Sequence, residues 1–300
     1  MPAIGDPPPP ADRQESQRTA HGAPAQVSYV PQAPRGEAAV PASRPPRPDG
    51  RRAEETRPCQ LRLGAVPNAA GSAYLEQGRT KIIASVFGPR QQFGDRAQAA
   101  VEGVLAVDLQ FAPFCSRVTA KEENEKRAVL YNSVLQRALE SVVLLDRYQK
   151  TAIDLSLLVL EDDGAVLTAA LAVASLALAD AMVEMRDLAA GATVHLTKAA
   201  GPSTALLLDC NGSEERSLPE GSAVVHIGLC PTRGALCMLH SAGPLPAGPF
   251  EQMVLLAKDT AEAIGTEMRR CLEKRVERRA AKRARLAETA GAQGPAALAS

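Results

Sequence analysis

The sequence predicts an α+β fold with mixed β-sheets flanked by helices, on three observations. Two-residue alternation of apolar and polar side chains recurs along the chain. A long amphipathic stripe and an almost wholly apolar Ala-rich segment read as helices. The order is strands, helix, strand, helix and then a second group of strands, interleaved rather than segregated. Three hundred residues with 45% hydrophobic content can bury a sizeable core.

Residues 1–46 are dense in Pro, Ala, Gln, Ser and Arg, with prolines at every position from 7 to 10. Such a segment buries too little apolar surface to offset its ordering entropy, so an unstructured arm is expected. A transit peptide is the alternative, and Asp6, Asp12, Glu15 and Glu37 argue against it. Over residues 59–66, Leu61, Leu63 and Ala65 alternate with Gln60, Arg62 and Gly64, the period of a half-buried strand. Pro67-Asn68 and Ala70-Gly71-Ser72 supply turn chemistry, and residues 80–87 are β-branched and apolar up to Gly88-Pro89. These read as two strands around a Gly-rich connection, with Gly71 and Gly78 as turn glycines ahead of any role as ligand contacts.

A short apolar strand follows over 103–109. Residues 122–146 carry Val129, Leu130, Val134, Ala138, Leu139, Val142 and Leu145 at helical spacing. Ile153, Leu155 and Leu157 alternate with Asp154 and Ser156 in a strand over 152–160, and Asp163-Gly164 turns into an apolar helix over 166–185. Asp162 and Asp163 are expected as its turn and N-cap residues. Strands are expected over 192–197, 205–209, 223–229 and 235–239. Gly243-Pro244 and Gly248-Pro249 then break the chain before a helix over 250–287. The predicted organisation is an arm (1–46), one domain with a long basic C-terminal helix (47–287), and a flexible tail (288–300).

Lys+Arg and Asp+Glu both number 34, so no overall field draws the chain to nucleic acid. With no Trp and 3% aromatic residues, stacking platforms for single-stranded RNA are scarce. Cys59, Cys115, Cys210, Cys230, Cys237 and Cys271 show neither a C-x-x-C nor a zinc spacing, and read as small buried hydrophobes in a reducing compartment. Residues 1–30 contain no apolar run of signal-peptide type. Residues 165–183, bracketed by Asp162, Asp163 and Asp180, fit a core helix better than a membrane span. A soluble intracellular chain is expected. His21, His195, His226 and His240 form no H-x-x-x-H pattern, and His195 and His226 read as hydrogen-bonded strand residues. Ser222 and Cys230 lack a nucleophile-elbow context.

Four segments carry a resemblance. They are Arg47-Pro48-Asp49-Gly50-Arg51; Gly71-Ser72-Ala73 with Gly78-Arg79-Thr80-Lys81; Asp108-Leu109-Gln110-Phe111-Ala112-Pro113-Phe114; and Leu160-Glu161-Asp162-Asp163-Gly164 leading into Ala177-Leu178-Ala179-Asp180-Ala181. Over roughly residues 47–275 the chain resembles the RNase PH family, which contains phosphorolytic 3′→5′ exoribonucleases and also RNA exosome ring subunits that have lost the chemistry. Asp146-Arg147-Tyr148, the acidic turn Leu160-Glu161-Asp162-Asp163-Gly164, and Ala179-Asp180-Ala181-Met182-Val183-Glu184-Met185-Arg186-Asp187-Leu188 are similar to the eukaryotic ring subunits in particular. The implied fold is RNase PH-like, of the ribosomal protein S5 domain 2-like type.

Active relatives hold inorganic phosphate on a Gly-(Ser/Thr)-Arg turn at the start of the helix ending in ALADA. The resemblance puts Ala165, Val166 and Leu167 there. Losing the charge-assisted fork would cost anion stabilisation on the order of 2–4 kcal/mol. It puts the family's paired carboxylates, general acid or magnesium ligands, at Glu215 and Gly221, with Glu220 as a one-residue-shifted substitute. Glu214, Glu215 and Glu220 otherwise read as a solvated loop. The Arg-rich loop of active relatives corresponds to residues 115–127, where Arg117, Lys121, Lys126 and Arg127 are diluted by Glu122, Glu123 and Glu125. Arg90, Arg96, Arg117, Lys121 and Arg127 are the RNA-contact candidates.

The expectation is therefore a fold without the reaction and without metal or cofactor, in a ring of RNase PH-like subunits. OB-fold and KH cap proteins would sit on that ring and RNA would pass through its pore, in nucleus, nucleolus and cytoplasm. A working phosphorolytic exoribonuclease is the alternative. The segment from Arg269 holds Arg269, Arg270, Lys274, Arg275, Arg278, Arg279, Lys282, Arg283 and Arg285. There Glu273 and Glu277 are read as i,i+4 support, beside readings as a localisation signal or a contact to RNA or a ring neighbour.

Overall fold

The computed structural model describes residues 25–29, 47, 49–91, 102–115, 121–198 and 204–292. A six-stranded sheet comprises β1 (Ala25–Tyr29), β2 (Cys59–Leu63), β3 (Gly71–Gln77), β4 (Thr80–Gln91), β5 (Val104–Phe111) and β6 (Thr151–Glu161), in the order β1-β2-β3-β4-β6-β5. All neighbours are antiparallel except β5 and β6, joined in parallel through α1 (Lys121–Val142) and a 3-10 turn at Leu145–Arg147. A four-stranded antiparallel sheet comprises β7 (Ala190–Lys198), β8 (Thr204–Leu208), β9 (Ala223–Cys230) and β10 (Ala235–Ala242), in the order β10-β9-β7-β8.

Leu61 and Leu63, then Ile153, Leu155 and Leu157, all point into the core as their alternation predicts, whereas Ala65, read in the same strand as Leu63, lies exposed beyond the end of β2. Helix α2 (Val166–Asp180) lies against β3 and β4 on one side and β7 on the other, with every residue but Ala179 buried. That two-sided burial explains a helix that is apolar all round, and among the described residues no helix is long and apolar enough to cross a membrane. The helix stops at 180 rather than near 185. Met182 takes φ 60° while the Val183 N–H bonds the Leu178 carbonyl at 3.1 Å, a Schellman-type close.

Three elements differ from expectation. The segment taken as a Gly-rich connection contains β3, whose Ala73, Leu75 and Gln77 face inward. A short α3 (Gly212–Ser217), capped by the Asn211 side chain, lies in the stretch read as a loop. The expected arm contains β1, which adds to the edge of β2; the remainder of 1–46, apart from these five residues, lies outside the described residues, as does the tail beyond 292. Each was hidden by the same thing: turn-type residues flank a run of only five to seven that tertiary pairing makes regular.

Of the two glycines read as turn residues, Gly78 has positive φ (60°) but Gly71 does not. A Cβ on Gly71 would stand 2.1 Å from the Ala181 nitrogen and 2.5 Å from the Ala177 carbonyl oxygen. Gly71 is there because β3 passes directly over the end of α2. Gly71→Ala is expected to destabilise the fold by about 1–3 kcal/mol, seen as a lower urea midpoint at unchanged slope. A shift within about 0.5 kcal/mol would mean the contact relaxes freely.

Candidate functional site

Helix α2 begins at the place where the resemblance expects a phosphate cradle. The chain leaves β6, turns through Asp162-Asp163-Gly164, and enters the helix at Ala165, which is left-handed (φ 55°) and has no side-chain cap. The expected N-cap role of the aspartates is therefore not what they do. Asp162 closes an Asx turn onto the Gly164 N–H (3.2 Å) and pairs with Arg127 at 2.7 Å; Asp163 accepts from the Gly212 N–H at 3.2 Å. Val166 and Leu167 are buried in the core and present neither hydroxyl nor guanidinium.

The anion at this helix end is the chain's own. Glu215, on α3, sets its Oε1 3.3 Å from the Ala165 N–H and 3.5 Å from His195 Nε2. The same oxygen is 3.0 Å from where a Cβ on Gly164 would sit. A carboxylate at a helix N-terminus satisfies an orphan donor and meets the positive end of the helix dipole. The other carboxylate position, Gly221, has φ 85° in a turn closed by Ser222 N–H to the Pro219 carbonyl (3.2 Å). Glu220 lies exposed on that turn and forms no ion pair among the described residues; of the two positions of the expected carboxylate pair, only Glu215 carries a carboxylate to the cradle.

Glu214 is not a solvated loop residue. It is buried, completes the α3 capping box, and takes a two-pronged grip from Arg47: Nε to Oε1 at 2.7 Å and Nη2 to Oε2 at 2.8 Å. Beside it, Arg57 donates from Nη2 to Asp209 Oδ1 (2.7 Å) and from Nε to Oδ2 (3.1 Å), while the Arg57 N–H (2.8 Å) and Gln77 Nε2 (3.0 Å) also reach Oδ2. Arg57 further donates to the carbonyls of Asp163 (2.6 Å) and Gly164 (3.1 Å), and the Thr80 hydroxyl donates to that of Gly164 at 2.9 Å. The arginines of residues 47–57 thus lock the second sheet and the loop before α2 to one another. Burial alone would push the Asp209 carboxyl up; the charge and hydrogen bonds of Arg57 outweigh it and hold Asp209 below the usual carboxylate range. The role of Arg47 was legible only as part of a conspicuous Arg-Pro-Asp-Gly-Arg run and that of Arg57 not at all, because their carboxylate partners lie 167 and 152 residues away.

A second buried chain leaves the same helix end. Thr168 Oγ1 meets Thr193 Oγ1 at 3.0 Å, and Thr193 Oγ1 meets His226 Nδ1 at 2.9 Å. The His226 ring stacks on His240 at 5.9 Å. Burial pushes the His226 imidazole down to about 3, with His195, His240 and Arg127 adding positive repulsion. Of the cysteines, five are buried and Cys237 is half-buried; burial raises Cys59 and Cys210 to about 12. Among the described residues no three His, Cys, Asp or Glu gather to hold a metal.

The RNA-contact candidates do not converge. Arg90 pairs with Asp154 at the far end of β4, and Lys121 stands exposed 3.8 Å from Glu125 at the start of α1. Arg127 is a structural residue. It lies over the rings of Phe111 (5.1 Å) and Tyr131 (5.5 Å) and is bound to Asp162. Arg96 and Arg117 lie outside the described residues.

Arg57→Ala is expected to cost about 3–5 kcal/mol by stripping buried Asp209 of its two-pronged guanidinium and leaving only the longer pairing to Arg51, against a much smaller loss for Arg57→Met with Asp209→Leu; urea titration of both variants measures the difference. For His226, the unfolded chain takes up a proton near 6.5 and the folded chain only near 3. The stability this contributes is full above about pH 6.5 and drains away as pH falls, by up to about 1.4 kcal/mol per unit. His226→Gln is expected to flatten the stability profile between about pH 6.5 and 4.5, read by thermal unfolding across that range.

Comparison with known proteins now bears on this frame. The model of the 3′ exoribonuclease family, domain 1, matches residues 55–184, from just before β2 through α2. The exosome complex component Rrp41 of Pyrococcus horikoshii is 35% identical over 227 residues, covering 76% of this chain and 88% of that protein. The exosome complex component RRP41-like of Arabidopsis thaliana is 35% identical over 227 residues, covering 76% and 84%. The crystal structure of rice (Oryza sativa) Rrp46 superposes with a TM-score of 0.61 over 74% of this chain and 98% of that one, at 24% identity, which speaks to the fold. With β2 to β6 and the buried helix matched by that model, and with relatives about 35% identical matched over most of their length, the chain belongs to the RNase PH family.

Proposed function

We propose that this chain is a non-catalytic subunit of the RNA exosome core ring. In this reading it helps form the pore that channels RNA 3′ ends to a separate 3′→5′ exoribonuclease, in rRNA processing and RNA decay. The observation that carries the reading is Glu215 at the N-terminus of α2. Phosphorolysis needs a free phosphate in line with the terminal phosphodiester. Here a carboxylate of the chain takes the Ala165 amide that would bind it, and Val166 and Leu167 offer no fork in compensation. A like charge already in the cradle repels phosphate rather than recruiting it.

Assembly is supported by named relatives that are exosome complex components and by apolar side chains left in water. Val129 on α1 is 72% exposed, Leu130 beside it is exposed, and so are Leu236 and Leu239 on β10, against which α1 lies. Exposed apolar groups of this kind mark protein contacts. The partners in this reading are other RNase PH-like ring subunits, OB-fold/KH cap proteins and RNA in the pore, with nuclear, nucleolar and cytoplasmic residence. The segments 146–148, 160–164 and 179–188 favour a ring subunit of the mRNA-transport-regulator-three type.

The purified chain, given single-stranded RNA, magnesium and inorganic phosphate, is expected to release no nucleoside diphosphate above background. Native mass spectrometry of the tagged protein from its own cells is expected to show one copy beside distinct RNase PH-like subunits. Phosphate-dependent release of nucleoside diphosphate that Glu215→Gln abolishes would establish the phosphorolytic enzyme instead, and a homo-oligomer alone would overturn the ring-subunit reading.

A further inference from the structure

The hairpin of β9 and β10 holds two cysteines that play no part in the helix-end site or in the proposed function. Its register pairs Ala235 with Cys230 and Leu236 with Leu229, then slips. Met238 consequently faces Gly228, and Cys237 is the extra residue of a β-bulge. The slip brings Cys237 onto the Gly228 face of the sheet. A Cβ on Gly228 would stand 3.3 Å from Cys237 Sγ, 2.8 Å from Met238 Cβ and 2.5 Å from Leu171 Cδ2 of α2. Cys230 lies two residues beyond Gly228 on the same strand, hence on that same face. There the two thiols are hydrogen-bonded to each other. Two cysteines can bridge only where their side chains converge, and these converge in the folded chain.

The turn between them is fastened by two elements. Asp187 accepts from the Thr232 N–H (2.8 Å), the Thr232 hydroxyl (2.7 Å) and the Arg233 N–H (3.2 Å). Helix α4 (Ala247–Ala292) is the second. A Cβ on its Gly265 would stand 2.4 Å from Pro231 Cγ, and its Arg269 reaches Thr232 and, at 3.5 Å, Asp187. The i,i+4 support expected from Glu273 and Glu277 on this helix is not formed as an ion pair among the described residues. Arg275 and Arg279 reach Asp180 instead, at 3.3 and 2.8 Å. The turn itself stays open to solvent, since residues 232–236 are all exposed and Cys237 is half-buried.

We propose that Cys230 and Cys237 form a dithiol that hydrogen peroxide oxidises to a disulfide across the β9–β10 hairpin. Reactivity toward peroxide belongs to the thiolate. The hydrogen bond from Cys237 holds the Cys230 thiol below the ordinary thiol range, against burial and the negative charge of Asp187, with Arg233 assisting. The same bond, with burial, keeps Cys237 protonated. Burial raises Cys59 and Cys210 to about 12 and Cys271 to about 11, so these remain thiols at neutral pH. Cys230 is therefore the attacking sulfur and Cys237 the resolving one. The Cys230 thiolate takes one peroxide oxygen; the O–O bond breaks, and the departing hydroxide is protonated to water. The Cys237 sulfur then attacks the Cys230 sulfenic acid; the S–O bond breaks and a second water leaves. Two thiols give up two electrons and two protons, and one peroxide becomes two waters. The new bond ties the edge strand β10 to β9 at the bulge. The inference stands apart from the ring-subunit reading, since it concerns neither assembly nor phosphorolysis.

The test exposes the reduced full chain to hydrogen peroxide, then unfolds it and alkylates the remaining thiols. Arg233 lies between the two cysteines, so trypsin leaves residues 217–233 and 234–258 joined only by the proposed bond. The joined pair is expected about 2 Da lighter than its two peptides together. Dithiothreitol is expected to separate it, and the other cysteines to be recovered alkylated. Cys237→Ser keeps a hydrogen-bond donor but removes the resolving sulfur, so Cys230 is expected to stop as a sulfenic acid that dimedone traps. Cys230→Ser is expected to slow oxidation at Cys237 at least about tenfold. Circular dichroism checks that both variants fold. Peroxide that oxidises glutathione yet leaves residues 230 and 237 unlinked in the unmodified chain would overturn the proposal. So would a linkage that joins other cysteines first, or equal loss of all the thiols.

Discussion

An apolar helix with a sheet on each side can be buried only if its two ends find partners, because four amide hydrogens at one end and four carbonyls at the other lie outside its own bonding ladder. Much of this molecule is organised by that demand on α2. Its interior positions are alanine and leucine, small enough for strands of both sheets to approach, and at Gly71 the approach leaves no room for any side chain. At the C-terminal end, Asp180 is held by the Ser72 amide and by Arg275 and Arg279, which fixes α4 to the body. At the N-terminal end, the loop of Asp163 and Gly164 is gripped by Arg57, and the first amide is met by Glu215.

The same demand explains what could be read from the sequence. The strands of alternating leucine and isoleucine were legible because one face of each is buried, and α2 was legible because a helix buried on both sides has no polar stripe to confuse the period. Strand β3 was not, since Gly71-Ser72 looks like a turn until the helix crossing over it is known. Within the site, the want of a hydroxyl or guanidinium at Val166 and Leu167 was visible from residue types alone. That Glu215 would move into the gap was not. A carboxylate in a loop gives no sign of facing a helix end some fifty positions earlier.

Charge is distributed on the same logic. Arginines that look interchangeable by composition fall into buried clamps (Arg47, Arg57), a ring-stacked strut (Arg127), anchors of the last helix (Arg275, Arg279) and solvated cations beyond them. Guanidinium geometry suits the first three, where a planar fork meets a carboxylate or a ring face.

Glu215 also changes what the cradle responds to. An anion tethered to the chain has an effective concentration set by the polypeptide rather than by the solution. A helix end that relies on a free ion tightens and loosens with the amount of that ion, whereas one filled from within has no such dependence. On the proposed reading, the loop between β6 and α2 would be insulated from the metabolic state of its surroundings and would keep one shape whether phosphate is plentiful or scarce.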